Sequence, residues 1–167
     1  GLGTCLPASM IPADQAGQLS AESCASDSLC APKILLDEAT RPAQCNSVGG
    51  VEGRCLPACL PAIADRASSL PQDTCQSGEV CAPCFDPFTG AATEACRLHG
   101  DAPTQPPRTF AQCCGSLGTC VPRTLVSEAD AARLPATGCD AADALCVPNA
   151  LLDPGFVPNS CRSIGGG

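Results

Sequence analysis

The sequence predicts a small disulfide-rich fold, built as three tandem modules of about 50 residues with short helices, turns and little regular sheet. Two observations predict it. First, sixteen of the 167 residues are cysteine, and twelve of these fall in a spacing that recurs three times. Cys5, Cys24, Cys30 and Cys45 are separated by 19, 6 and 15 residues; Cys55, Cys75, Cys81 and Cys96 by 20, 6 and 15; Cys120, Cys139, Cys146 and Cys161 by 19, 7 and 15. Self-similarity at a fixed period marks an architecture in which each repeat is one supersecondary unit. Second, Leu, Ile, Val and Phe together number 31, Phe occurs four times, and Trp and Tyr are absent. That is just under the one-fifth level below which a chain tends to disorder, so burial alone does not hold the fold. Closing a loop of 15 to 20 residues by a disulfide contributes roughly 3 kcal/mol in the chain-entropy model, and several such loops replace a core.

The repeats set the boundaries: residues 1–50, 51–100 and 115–167, with a proline-rich insertion over 101–114 that ends at Cys113-Cys114. The first junction, Cys45-Asn-Ser-Val-Gly-Gly-Val-Glu-Gly-Arg-Cys55, is a step of 10 residues. The sequence closes on Cys161-Arg-Ser-Ile-Gly-Gly-Gly167 and opens on Gly1-Leu-Gly-Thr-Cys5. Overlaid with Gly167 as Gly1 of a following copy, these two ends restore a step of 10. The pattern is what one period of a longer array, or one subunit of a head-to-tail fibre, would show; a duplicated domain cut at its natural boundaries would show it too. With no charged and apolar leader at Gly1, the sequence reads as a mature or excerpted product.

Each repeat divides into two related halves. The first opens with Cys-x-Pro, as in Cys5-Leu-Pro7 and Cys120-Val-Pro122, and so does the second, as in Cys30-Ala-Pro32 and Cys146-Val-Pro148. A short helix is expected after each first opening, over Pro12 to Leu19, Pro61 to Leu70 and from Ser127. Ser127-Glu-Ala-Asp130 is a capping-box-like start, with a side-chain acceptor for an orphan N–H and acidic residues in the first turn. Leu19, Leu70 and Leu134 each stand five residues before the second cysteine and are expected to pack inward. The second halves read as turns, with Asp86-Pro-Phe-Thr-Gly90 and Asp153-Pro-Gly155 carrying turn residues. Period-two alternation is nowhere long, so strands should be short and few.

Within a repeat, four cysteines allow three connectivities and spacing does not choose among them. The two-halves reading favours first with second and third with fourth. Four further cysteines, Cys59, Cys84, Cys113 and Cys114, are confined to the middle repeat and its tail. They are expected to bond one another, Cys59 and Cys84 with Cys113 and Cys114, pinning the insertion. All sixteen cysteines are thus read as disulfide-bonded.

Candidate chemistry yields to simpler readings. Cys81-Ala-Pro-Cys84 has the Cys-x-x-Cys spacing of redox centres and zinc knuckles, but no βαβ setting, matching pair or suitably spaced histidine accompanies it. Structural disulfides explain it. His99, the single histidine, lies between Arg97-Leu and Gly100-Asp with no nucleophile around it and reads as a solvated loop residue. Asp37, Glu38, Asp86 and Asp153 lack the alternating acidic pattern of a calcium loop and read as turn caps. No catalytic, cofactor-binding or metal-binding residue is assigned, and an enzyme is not expected. A net charge of −8 argues against nucleic acid and anionic membranes, which reward basic patches. No run approaches the length of a membrane span.

The phrases Gly118-Thr-Cys-Val-Pro122, Leu29-Cys-Ala-Pro32 and Leu151-Leu-Asp-Pro154 resemble those of cysteine-rich secreted repeat proteins of GC-rich, myxobacteria-like bacteria. The resemblance covers all three repeats, implies an extracellular setting and carries no active site. Together with the disulfide density, it leads to an extracellular or cell-surface structural protein whose partner is itself, as a head-to-tail homopolymer or a longer covalent array. The alternative is a secreted binding module, adhesin-like or protease-inhibitor-like, that presents the 98–110 loop.

Overall fold

The structure is a computed structural model that describes residues 3–17, 19, 21, 24–37, 39–153, 155 and 156. It is disulfide-rich, with six disulfides, four-residue helices and small antiparallel sheets among the described residues. The chain forms two compact units, Gly1–Thr109 and Phe110–Gly167.

Among the described residues, the first unit holds two sheets. Strands β1 (Gly3–Pro7) and β2 (Ser28–Pro32) pair with Cys5 opposite Cys30, and the helix α1 (Ala13–Ala16) lies in the connection. After β2 comes α2 (Lys33–Leu36), then β3 (Gln44–Asn46), β4 (Glu52–Pro57), α3 (Pro61–Ala64) and β5 (Glu79–Pro83). These three strands form a sheet in the order β3-β4-β5, with Cys55 opposite Cys81. The second unit repeats that arrangement. Strands β6 (Gln112–Cys113), β7 (Gly118–Pro122) and β8 (Ala144–Pro148) pair in sequence order with Cys120 opposite Cys146, while α4 (Glu128–Ala131) and α5 (Asn149–Leu152) follow β7 and β8.

The Cys-x-Pro openings are therefore strand ends. Each of the six halves places its cysteine two residues before a proline that terminates β1, β2, β4, β5, β7 or β8. Proline has no N–H to give to a ladder and a fixed φ, so the chain leaves the sheet there. Strands are as short as expected but more numerous, because a hairpin of two five-residue strands needs no long alternation to form when disulfides clamp it.

Ser127 caps α4 as anticipated, its Oγ accepting the Asp130 N–H at 3.2 Å. Over 12–19 and 61–70 the helices are shorter than the segments that predicted them, ending at Ala16 and Ala64, the latter followed by a 3-10 turn over Ala67–Ser69. The second halves correct the turn reading: α2 and α5 are helical because Lys33-Ile-Leu-Leu36 and Asn149-Ala-Leu-Leu152 place good helix formers directly after a proline at the N-terminus. The Asp86 turn stands, with Asp86 Oδ1 accepting the Phe88 and Thr89 N–H groups. Asp37 likewise accepts from Ala39 N–H and Asp153 from Gly155 N–H, whereas Glu38 lies outside the described residues.

Leu70 packs against the largest apolar cluster, formed by Leu56, Ile63, Ala82, Ala95 and the Cys84–Cys96 bridge. Leu19 and Leu134 are half-buried. The remaining clusters are mostly sulfur: Cys45, Cys55, Cys75 and Cys81 in the first unit, and Cys113, Cys120 and Cys146 with Ala144 in the second.

Candidate functional site: the outer edge of the first sheet

The disulfide pattern locates the site. First-with-second pairing holds three times, as Cys5–Cys24, Cys55–Cys75 and Cys120–Cys139. Third-with-fourth pairing does not. Cys81 bonds Cys45 and Cys146 bonds Cys113, so the third cysteine of a sheet takes its partner from the segment that precedes that sheet. The expected Cys59/Cys84 to Cys113/Cys114 bonding is also corrected. Phe85 bridges Ala92 and the Thr93 N–H reaches the Cys84 carbonyl, a reversal that brings Cys96 beside Cys84 and bonds them. Cys113 is drawn to Cys146 by the pairing of β6 with β7. Cys59 and Cys114 are exposed thiols and Cys30 is a half-buried thiol, so the reading of every cysteine as bridged fails for these three. Cys161 lies outside the described residues.

The two cross-segment bonds share a geometry. Cys45 stands opposite Gly53 on β4, and Cys113 opposite Gly118 on β7. A Cβ on Gly53 would lie 2.8 Å from Cys81 Sγ and 2.5 Å from the Ala82 carbonyl oxygen; on Gly118 it would lie 2.9 Å and 3.0 Å from the two sulfurs of Cys113–Cys146. The bond closes over a residue that has no side chain because no side chain fits beneath it. Backbone bonds complete the addition of the outer strand: the Cys55 N–H donates to the Ala43 carbonyl at 2.9 Å, and the Cys120 N–H to the Ala111 carbonyl at 2.8 Å. Both incoming segments read Ala-Gln-Cys, as Ala43-Gln44-Cys45 and Ala111-Gln112-Cys113. That shared tripeptide is the sequence signal that Cys113, and not Cys96, corresponds to Cys45. In the middle sheet the segment continues into Ser47, buried, whose Oγ donates to the Cys81 carbonyl at 2.6 Å.

The first sheet has the same seat. A Cβ on Gly3 would lie 2.7 Å from Cys30 Sγ, as that of Gly53 would from Cys81. Yet its order is β1-β2, with no third strand along the outer edge of β1 among the described residues. The exposure follows: β4 is buried at all six positions and β7 at four of five, whereas β1 is exposed or half-buried throughout. Met10, at the end of the 3-10 turn Ala8–Met10 that follows β1, is 72 % exposed.

A second polar centre holds the insertion. Glu52 and Arg54 on β4 are buried, Arg54 Nη1 meeting Glu52 Oε1 at 2.8 Å and Arg54 Nε meeting Asp101 Oδ2 at 2.5 Å. Glu52 also accepts the N–H groups of Thr104 and Gln105, and Arg54 Nη2 donates to the Ala102 carbonyl. Burial opposes ionisation of Glu52, but the hydrogen bonds from Arg54, Thr104 and Gln105 outweigh it and hold its carboxyl below the usual carboxylate range. Asp101 is lowered first by its bond from Arg54, against the opposing effect of burial. Burial disfavours the charge on Arg54 too, and the hydrogen bonds to Asp101 and Glu52 overcome that and raise its pKa. The insertion is thus anchored by charge, where sulfur was expected. Val51-Glu-Gly-Arg54 reads as a junction and carries no local mark of this role.

The motif residues have structural places. Cys81 and Cys84 bond different partners and not each other. His99 is less open to solvent than expected: it is half-buried and donates its Nε2–H to the Ile34 carbonyl. Sulfurs gather in three places, at Cys45/Cys75/Cys81, Cys113/Cys114/Cys146 and Cys113/Cys120/Cys139. In each, at least two sulfurs belong to S–S bonds and are not thiolate ligands. No described helix is long and apolar enough to cross a membrane.

No protein-family model, no curated protein and no solved structure matches this chain.

Proposed function

We propose that this chain is an extracellular structural protein, a disulfide-stapled array of three tandem modules that assembles head to tail with further copies of itself into a filament or surface matrix. The observation that carries the reading is the contrast between an exposed two-stranded first sheet and two three-stranded sheets whose central strands are buried. Strand edges are templates for pairing with another chain, and a short edge with a built seat for an incoming strand favours a specific partner over indiscriminate aggregation. Six disulfides fit an oxidising compartment. Electron microscopy and sedimentation in oxidising buffer across a wide concentration range test the reading. Rods that lengthen with concentration are expected, and single particles at every concentration would sink it.

One observation favours the alternative of a secreted binding module. The Glu52–Arg54–Asp101 anchor fixes residues 101–105 and leaves 105–109 exposed, which is how a contact loop is presented.

A further inference from the structure

We propose that residues 105–109 are the reactive loop of a protease inhibitor, in which Arg108 fills the specificity pocket of an arginine-selective, trypsin-like serine protease. This rests on the contact-loop reading above and names the partner and the residue that meets it.

The loop is held from behind. Asp101, Ala102, Thr104 and Gln105 are tied to the buried Glu52 and Arg54, so the chain reaches residue 105 from a fixed start. From 106 to 111 it runs without turn or bend. Beneath it lies the Asp86 turn, where the Gly90 N–H donates to the Asp86 carbonyl at 2.8 Å. A Cβ on Gly90 would stand 3.3 Å from Thr109 Cγ2 and 3.9 Å from Pro107 Cβ, so the loop passes over the bare face of that glycine. In an unbent, extended segment, side chains two residues apart share a face. Pro107 and Thr109 both turn to Gly90, and Arg108 between them turns outward and is exposed.

A serine protease accepts this form. Its cleft pairs with the main chain of an extended segment, and a carboxylate at the base of its S1 pocket binds an arginine guanidinium. Pro106 and Pro107 fix two φ angles ahead of Arg108, so less conformational entropy is lost on docking. Pro107 and Thr109 rest on the same glycine, so a cut between Arg108 and Thr109 would leave both new ends in place, which favours inhibition over turnover.

The other exposed arginines of the described residues lack this setting. Arg41 is followed by Pro42, whose ring and missing N–H do not fit strand pairing in the cleft. Arg66, Arg97 and Arg123 lie in or beside 3-10 turns, and the Arg133 N–H is bonded back to the Asp130 carbonyl behind α4. Pro103-Thr-Gln-Pro106-Pro-Arg108 also spells a ligand for aromatic grooves that read polyproline helices. Bends at Thr104 and Gln105 interrupt such a helix and Pro103 is half-buried, so its prolines do not form one exposed ridge.

Trypsin with a chromogenic arginine anilide substrate tests the assignment, the disulfide-intact chain serving as inhibitor. Competitive inhibition is expected, and Arg108→Ala, at an exposed position that folding does not depend on, should weaken it at least about 30-fold. Arg108→Lys should keep it, Arg108→Phe should transfer it to chymotrypsin, and Arg123→Ala should change nothing. Undiminished inhibition by the Arg108→Ala variant overturns the proposal. Hydrolysis of Arg108–Thr109 as fast as in a synthetic 103–112 peptide, with no inhibition, overturns it too, but shows the loop on display and leaves the contact-loop reading standing. If trypsin is neither inhibited by the chain nor able to cut Arg108–Thr109, both readings fall.

Discussion

The first and middle sheets share a hairpin, a register and a glycine seat, yet β1 is exposed or half-buried throughout and β4 is buried at every position. The difference lies in one added three-residue strand and one bond, β3 and Cys45–Cys81. In a chain with so few large apolar side chains, a sheet becomes interior only when a neighbouring segment is stapled over it. Burial here is a consequence of connectivity as much as of composition.

Equivalent substitutions in the two sheets can break or sharpen that comparison. The largest expected effect is from Cys45→Ser with Cys81→Ser, which opens a 36-residue loop and should cost about 4 kcal/mol by denaturant titration. Cys30→Ser in the monomer should shift stability by less than about 0.5 kcal/mol. Equal losses in the two sheets would erase the distinction. Next comes Arg54→Ala, which leaves the Glu52 and Asp101 carboxylates without their cation in a nearly dry site and should cost about 3 kcal/mol. At the matching register of the first sheet, Thr4→Ala on an exposed strand should cost less than about 0.5 kcal/mol.

The same site gives a pH signature. Glu52 and Asp101 titrate below their ordinary range when folded, so their contribution is complete above the unfolded carboxylate range and is lost as pH falls through the folded values. Protection factors for the Thr104 and Gln105 amides should drop on acidification below about pH 4, while the disulfide-clamped strands stay protected. Loss of protection on raising the pH instead would reverse the sign and refute the assignment.

The smallest contrast is at the seat itself. Gly53→Ala drives a Cβ to 2.5 Å from the Ala82 carbonyl, backbone that cannot swing away, and should cost about 2 kcal/mol. Gly3→Ala meets chiefly the unbonded Cys30 sulfur, which can rotate, and should cost less than about 1 kcal/mol in thermal melts.

What the sequence made legible follows from how local each signal is. The 19- to 20-residue disulfides close inside one half of a repeat and were readable from its symmetry, as was the Ser127 cap, whose donor and acceptor lie three residues apart. Cys45–Cys81 was not, because it crosses a repeat boundary and the four-cysteine count invites closure within the repeat. The Arg54 anchor was not, because its partners come from Glu52 two residues away and from Asp101 in an insertion that reads as linker. At the candidate site, Gly3 and Cys30 carry no local mark of their role; only comparison with Gly53/Cys81 and Gly118/Cys146 in three dimensions gives them one.

The bonds that cross from one segment to the next sheet also decide how the chain answers tension. A pull transmitted from before Cys45 to beyond Cys81, or from before Cys113 to beyond Cys146, passes through sulfur and bypasses everything between. The enclosed stretches, 36 and 33 residues long in sequence separation, would each extend by on the order of 110 to 120 Å if released. Held behind covalent bonds, that slack is unavailable to load, so the chain is close to inextensible along those stretches until a reductant cuts them.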